Sequence, residues 1–200
     1  MNLPIDSTQH IYPHASAVSA TDRAGSLRQT PGIVWFTGLS GAGKSTIASA
    51  VELQLHRNGK HTFLLDGDTL RGGLCRDLGF SDEHRHENIR RASEVSRLMA
   101  DAGLLVLVCA IAPFAADRQL ARAIAGPHRF IEVHVHVPVA IAERRDPKGL
   151  YKLARLGAIK NFTGIDSPYE EPATPDIRID TTQCSVANAA ALVMRQLGQP

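Results

Sequence analysis

The chain has 200 residues, 44% of them hydrophobic and 21% charged, a composition that fits one globular domain and excludes collagen-like, disordered and coiled-coil chains. Lysine plus arginine exceed aspartate plus glutamate by 22 to 20, and a net charge of +2 gives no general attraction to nucleic acid or membrane, so any anion site must be local. The three cysteines, Cys75, Cys109 and Cys184, are widely spaced without a C-x-x-C pair, which argues against a disulfide framework or zinc knuckle and suits a reducing cytoplasm; no run approaches the roughly 18–20 apolar residues of a membrane span.

Residues 1–30 are rich in Ser, Thr, His, Pro and Ala, carry Asp6 and Asp22, and lack the apolar block of a secretory signal. They are expected to form a flexible arm ahead of a folded domain at 31–200. Gly32–Thr37 predicts a buried strand, and Ser45–Arg57 a helix with Ile47, Val51 and Leu55 at inward spacing. His61–Asp66 predicts a second strand that ends in the acidic turn Asp66-Gly67-Asp68. Ser81 is placed to cap a long helix that reaches about Ala102, with Asp82 and Glu83 favourable in its first turn.

Leu104–Ala110, Ala115–Ala125 and Phe130–Val137 follow as strand, helix and strand. Val139–Arg144 predicts a short helix, and the long basic segment 146–171, with helical turns at Gly149–Leu156, predicts a lid. Ile177–Ile179 and Ser185–Leu197 supply a last strand and helix. This alternation predicts an α/β fold of three layers, a five-stranded parallel sheet with helices on both faces.

Gly38-Leu39-Ser40-Gly41-Ala42-Gly43-Lys44-Ser45 fits G-x-x-x-x-G-K-[ST] and falls between a predicted strand and a predicted helix, the context of a P-loop NTPase. Small residues allow backbone N–H groups to face phosphate oxygens at a helix N-terminus. Gly38, Ser40, Gly41, Ala42, Gly43, Lys44, Ser45 and Thr46 are thus the expected ATP residues, with Lys44 reaching the β/γ-phosphates and the Ser45 hydroxyl able to ligate Mg²⁺. A phosphate cradle alone does not separate kinase from GTPase or ATPase. No N-K-x-D guanine signature is present, and Asp66-Gly67-Asp68 places a carboxylate where a γ-phosphate and an acceptor hydroxyl could meet, which favours phosphoryl transfer to a small molecule.

Arg71, Arg76, Arg85, His86, Asn88, Arg90 and Arg91 follow as a dense set of anion-binding candidates. Arg85 and Asn88 are three apart on one helix and share a face, while Arg90 and Arg91 turn away. An arginine fork suits sulfate or phosphate oxygens because it donates two parallel hydrogen bonds.

The strings LDGD with Arg71 (Leu65–Arg71), RDLGFS (Arg76–Ser81), ENIRR (Glu87–Arg91), LMADAGLLVLV (Leu98–Val108), DPKGLYK (Asp146–Lys152) and IKNFTGIDSPYE (Ile159–Glu170) resemble the adenylyl-sulfate kinase family over about residues 30–197. The resemblance implies ATP- and Mg²⁺-dependent phosphorylation of the 3′-hydroxyl of adenosine 5′-phosphosulfate, in a cytoplasmic homodimer serving sulfate assimilation. It implies that Asp68 orients or deprotonates that hydroxyl and contacts the metal's water shell. Arg71, Arg85, Asn88 and Lys148 would hold the phosphosulfate and ribose, Phe80 and Phe162 would sandwich the acceptor adenine, and Ile111 would line the same site. Thr69, Gly72 and Cys75 depart from the family's usual Asn, frequent His and common Asn, and Ala112 replaces a serine that is phosphorylated in some members. A phosphoserine at that position is impossible here. A related kinase with another acceptor, or a nucleotide-binding module without turnover, are the competing readings of the same motifs.

His134 and His136 alternate along a strand and share a face, which invites a metal site, but spacing places no third ligand, so they are expected to be satisfied structural histidines.

Overall fold

The computed structural model describes Tyr12, His14 and residues 16–199. Five strands, β1 (Gly32–Thr37), β2 (Thr62–Asp66), β3 (Leu105–Cys109), β4 (Arg129–His136) and β5 (Ile177–Asp180), form one sheet in the order β2-β3-β1-β4-β5, with every neighbouring pair parallel. β1 and β3 are buried at every position, as expected for central strands covered on both faces.

Alternation along the strands divides the core in two. Val34, Phe36, Leu107, Val133 and Val135 face one side, where they pack with α2 (Lys44–Arg57) and α8 (Val186–Gln196). Ile33, Trp35, Val106 and Val108 face the other, beneath α4 (Asp82–Asp101) and α5 (Ala115–Ile124). The expected three-layer α/β arrangement is therefore present, and all polar β-to-α turns collect at the carboxyl edge of the sheet.

Two short helices depart from the sequence expectation. α1 (Ala20–Leu27) lies within the segment expected to be a flexible arm; Ser19 and Asp22 cap it reciprocally, and it packs on the turn at Gly103. Gln29 then ties it down, donating to the carbonyls of His61 and Gly103 and accepting from the His61 N–H. The expectation of flexibility for residues 1–11, 13 and 15 lies outside the described residues. α3 (Gly67–Gly72) replaces the plain acidic turn: the Asp66 carboxylate accepts from the Asp68 N–H and so caps a helix that carries Asp68 and Arg71. Gly67 is needed there because a Cβ would come within 3.0 Å of the Cys109 carbonyl oxygen.

The segment after β4 contains α6 (Val139–Arg145) and α7 (Leu150–Arg155) and returns through Thr163–Ser167 to β5. Among the described residues no helix is long and apolar enough to cross a membrane.

Candidate active site

A cleft of about 660 Å³ opens at the carboxyl edge of the sheet, between the P-loop, α3, the start of α4 and the segment 147–163. On one wall, the turn between β1 and α2 is held close to the sheet. Gly38 has φ +148°, and a Cβ on it would lie 2.3 Å from the Val135 carbonyl oxygen, so the first glycine of the motif is needed for the approach to β4. Ser40, Gly41, Gly43, Lys44, Ser45 and Thr46 line the cleft. Gly38 and Ala42 do not; Ala42 is fully buried beneath the loop and shapes it.

Lys44 donates to the carbonyls of Gly38 and Leu39 at 2.9 and 2.8 Å. Burial pushes its ammonium down to about 8, with the nearby Cys109, Asp66 and Asp68 acting in the opposite sense and Lys148 reinforcing the fall. Cys109 answers in kind: burial raises its thiol to about 12, so it is an inert wall of the cleft. Ser45 donates to Asp66 at 2.6 Å. The sequence pairs Ser45 with Asp68 as metal-site residues; the structure puts Asp66 directly on the serine, while Asp68 also lines the cleft and is bonded to Lys148. The hydroxyl–carboxylate pair and the neighbouring Asp68 are an all-oxygen donor set, which suits a hard divalent cation such as Mg²⁺.

The opposite wall is basic and aromatic. Arg71 donates to the Gly79 carbonyl at 2.8 Å, and its guanidinium lies 4.4 Å from the centroid of the Phe80 ring. Arg85 donates through Nε to the Phe80 carbonyl and through Nη2 to the Asn161 carbonyl, so one buried arginine joins α4 to the lid segment. Burial is the main cause lowering the pKa of both arginines. Asn88 is 5% exposed and its Oδ1 has no protein partner, an unsatisfied acceptor at the cleft wall. Arg90 and Arg91 are spent on Glu87 and Asp77, as their outward placement predicts.

Phe80 is 54% exposed, whereas Phe162 is 8% exposed and meets Tyr151 edge-on at 4.9 Å. Both line the cleft, as do Ile111 and Ala112. Phe162 is thus both core and wall: Asp166 accepts from the N–H groups of Asn161 and Phe162 and fixes the turn that presents it. Thr69, Gly72 and Cys75 do not line the cleft. Cys75 is buried in the core behind α3.

Sequence reasoning missed the fastenings of the lid. Tyr151 donates to the Ser40 carbonyl at 3.0 Å, and Asp146 accepts from the N–H groups of Tyr151 and Lys152. Arg145 donates to both oxygens of Thr181 and weakly to Gly41 O, clasping the back of the P-loop to the turn after β5. Tyr151 and Asp146 fall inside the DPKGLYK string, which is the one signal that could have flagged them. Of the basic residues in segment 146–171, Lys148 and Lys160 reach the cleft; Lys152 does not, and Arg155 pairs with Glu143.

A strand–P-loop–helix unit facing a carboxylate and a second basic wall across one cleft defines a P-loop kinase of small molecules. A family model described as adenylylsulphate kinase matches residues 30–180, and the chain belongs to that family. An adenylyl-sulfate kinase of Pseudomonas aeruginosa is 62% identical over 159 residues, 80% of this chain and 81% of its own. One from Marinobacter nauticus is 56% identical over 177 residues, 88% and 89% of the two chains. A solved structure of the Mycobacterium tuberculosis APS kinase CysC in complex with AMPPNP and APS superimposes with a TM-score of 0.82 at 50% identity, covering 85% of this chain and 99% of that one.

Proposed function

We propose that the protein transfers the γ-phosphoryl group of ATP to the 3′-hydroxyl of adenosine 5′-phosphosulfate, yielding 3′-phosphoadenosine 5′-phosphosulfate and ADP. The observation that carries this reading is Asp68, set in a single cleft between the P-loop on one side and Arg71, Phe80, Arg85 and Asn88 on the other. Phosphoryl transfer asks the protein for alignment and charge neutralisation more than covalent chemistry. The P-loop N–H groups and Lys44 hold the triphosphate; Arg71, Arg85 and Lys148 hold the phosphosulfate; Phe80 and Phe162 bracket the adenine, each stacked face contributing about 1–3 kcal/mol.

Asp68 accepts the proton of the attacking hydroxyl or orients it in line with the γ-phosphorus. Ser45, Asp66 and Asp68 would hold Mg²⁺, which would supply charge neutralisation to the phosphoryl group in transfer. Ala112 has no side-chain oxygen, so the route is direct transfer from ATP to acceptor. Tyr151 and Arg85, which attach the lid segment to the P-loop and to α4, keep water from the reacting group. The family resemblance further supports a homodimer working in the cytoplasm.

The test is ADP release measured under saturating Mg-ATP with and without adenylyl sulfate. The reading requires ADP formation that depends on adenylyl sulfate and matches its 3′-phosphorylation mole for mole. Turnover with a different alcohol while adenylyl sulfate is inert, or nucleotide binding without any ADP, would reject it.

A further inference from the structure

On the α5 side of the sheet, away from the P-loop cleft, the structure supplies what the sequence could not place beside His134 and His136: a third ligand. Glu171, at the end of the lid's return segment, crosses the carboxyl end of β4, and one ligand atom from each of His134, His136 and Glu171 lies within 4.8 Å of the others. The expectation that the two histidines are satisfied structural residues fails here. His134 is 1% exposed with an unpartnered Nδ1, and the His136 Nδ1 to Glu171 Oε1 distance of 3.5 Å is too long for a good hydrogen bond.

We propose that His134, His136 and Glu171 form a binding site for a zinc-class divalent cation, with two imidazoles, one carboxylate and an open coordination position for solvent. Two imidazoles two residues apart on a strand project from one face, and the His₂Glu set is a recognised zinc-type donor combination. Tetrahedral bonds of about 2.0–2.1 Å put ligand atoms about 3.3 Å apart. The contraction needed is small and falls on side chains able to make it, because Glu171 is exposed and His136 partly so.

Two arginines lie near the pair, Arg118 and Arg178, the latter opposite His134 in the sheet register. Arg118 is neutralised by Glu132 at 2.9 Å, and Asp180, beside His136 in the sheet register, adds a compensating negative charge. The site's place in the fold gives it a consequence. Two residues before Glu171, the Tyr169 ring lies tilted against that of His134, centroids 5.9 Å apart, and its hydroxyl contacts the Thr37 hydroxyl at 3.0 Å, at the end of the strand that enters the P-loop. A bound cation would fasten the trailing end of the lid segment to β4 and stiffen the base of the cleft.

The experiment uses the full chain after chelator treatment, titrated with Co²⁺ in the presence of excess Mg²⁺, which occupies the oxygen-rich site at Ser45 and Asp66 but competes poorly for imidazole. The expected result is one Co²⁺ bound with the intense visible bands of a low-coordinate site, displaced by Zn²⁺, with perturbation of the His134 and His136 ring signals in ¹⁵N spectra. His136→Ala and Glu171→Gln, both at accessible positions and checked for fold by circular dichroism, should each weaken binding by about tenfold or more. The unsubstituted protein should gain thermal stability with Zn²⁺, and the variants should not. Binding of equal strength in His136→Ala, a sulfur-to-cobalt charge-transfer band, ring shifts confined to other histidines, or no Co²⁺ bound under excess Mg²⁺ would each overturn the proposal.

Discussion

Lys44 carries the clearest pH signature of any side chain in the cleft. Its ammonium is lowered to about 8 chiefly by burial, so the charged form is present below that pH and lost above it. A triphosphate favours the charged form and raises the value, so ATP binding must take up a proton when the pH lies above about 8, and affinity must fall as the pH rises through that range. Calorimetry of ATP binding at about pH 8.5 in buffers of different ionisation enthalpy should show uptake approaching one proton, and Lys44→Met should abolish it. In the proposed reaction Asp68 acts at another step. Asp68→Asn keeps the size and exposure of the side chain but removes the acceptor of the hydroxyl proton, so kcat should fall about a hundredfold or more while ATP affinity changes little. Near-normal turnover would remove Asp68 from the chemistry. These two residues, with Arg85 and Asn88, were legible in the sequence because motif spacing and helical period fix which way each faces. Asp66, Asp146 and Tyr151 were not, since their roles are set by partners brought near only by the fold: the Tyr151 hydroxyl meets a carbonyl 111 residues away.

The start of α4 is where local sequence chemistry and the basic wall of the cleft, proposed to hold the acceptor, are most directly linked. Ser81 accepts from the His84 N–H, and the next turn carries Arg85, whose guanidinium reaches the Asn161 carbonyl, and Asn88, whose Oδ1 is unpaired. Ser81→Ala should cost about 1 kcal/mol of stability, measured by urea unfolding, by removing the cap. Because fraying would loosen Arg85 and Asn88 but not the P-loop, KM for the acceptor should rise more than KM for ATP; an equal rise in both would show that the wall does not depend on the cap. Elements of this kind were readable in advance, as were the P-loop strand and helix, because their periodicity and capping agree. The two short helices were not. α3 reads as a turn because Asp66-Gly67-Asp68 has the composition of one, and the Asp66 cap that continues it into a helix is a contact made within the folded turn. α1 buries no residue fully, so it shows no apolar period, and it is held instead by the Ser19–Asp22 capping box and by Gln29, whose partners lie on other segments.

At the scale of the whole molecule, the lid segment closes the cleft through contacts of very different strength. Tyr151 and Phe162 are buried in the main core, Arg85 is a buried donor to the Asn161 carbonyl, and Asp166 fixes the Phe162 turn. Lys148 is different: its ammonium bonds Asp68 across the mouth of the cleft, and both side chains are more than half exposed. An ion pair so open to water contributes about 0–1 kcal/mol, so it adds little to folding and opens readily when a negatively charged substrate competes for the ammonium. Lys148 thus bridges the lid and the Asp68 carboxylate, and in the proposed reaction exchanging Asp68 for the phosphosulfate would release that carboxylate toward the acceptor hydroxyl. Lys148→Ala should therefore leave the thermal midpoint nearly unchanged, raise KM for adenylyl sulfate by about tenfold, and leave ATP affinity within about twofold. Differential scanning fluorimetry and initial rates with each substrate varied separately check the three parts together. A large drop in thermal midpoint would make Lys148 a structural strut, and an unchanged acceptor KM would show that the lid grips its substrate through other groups.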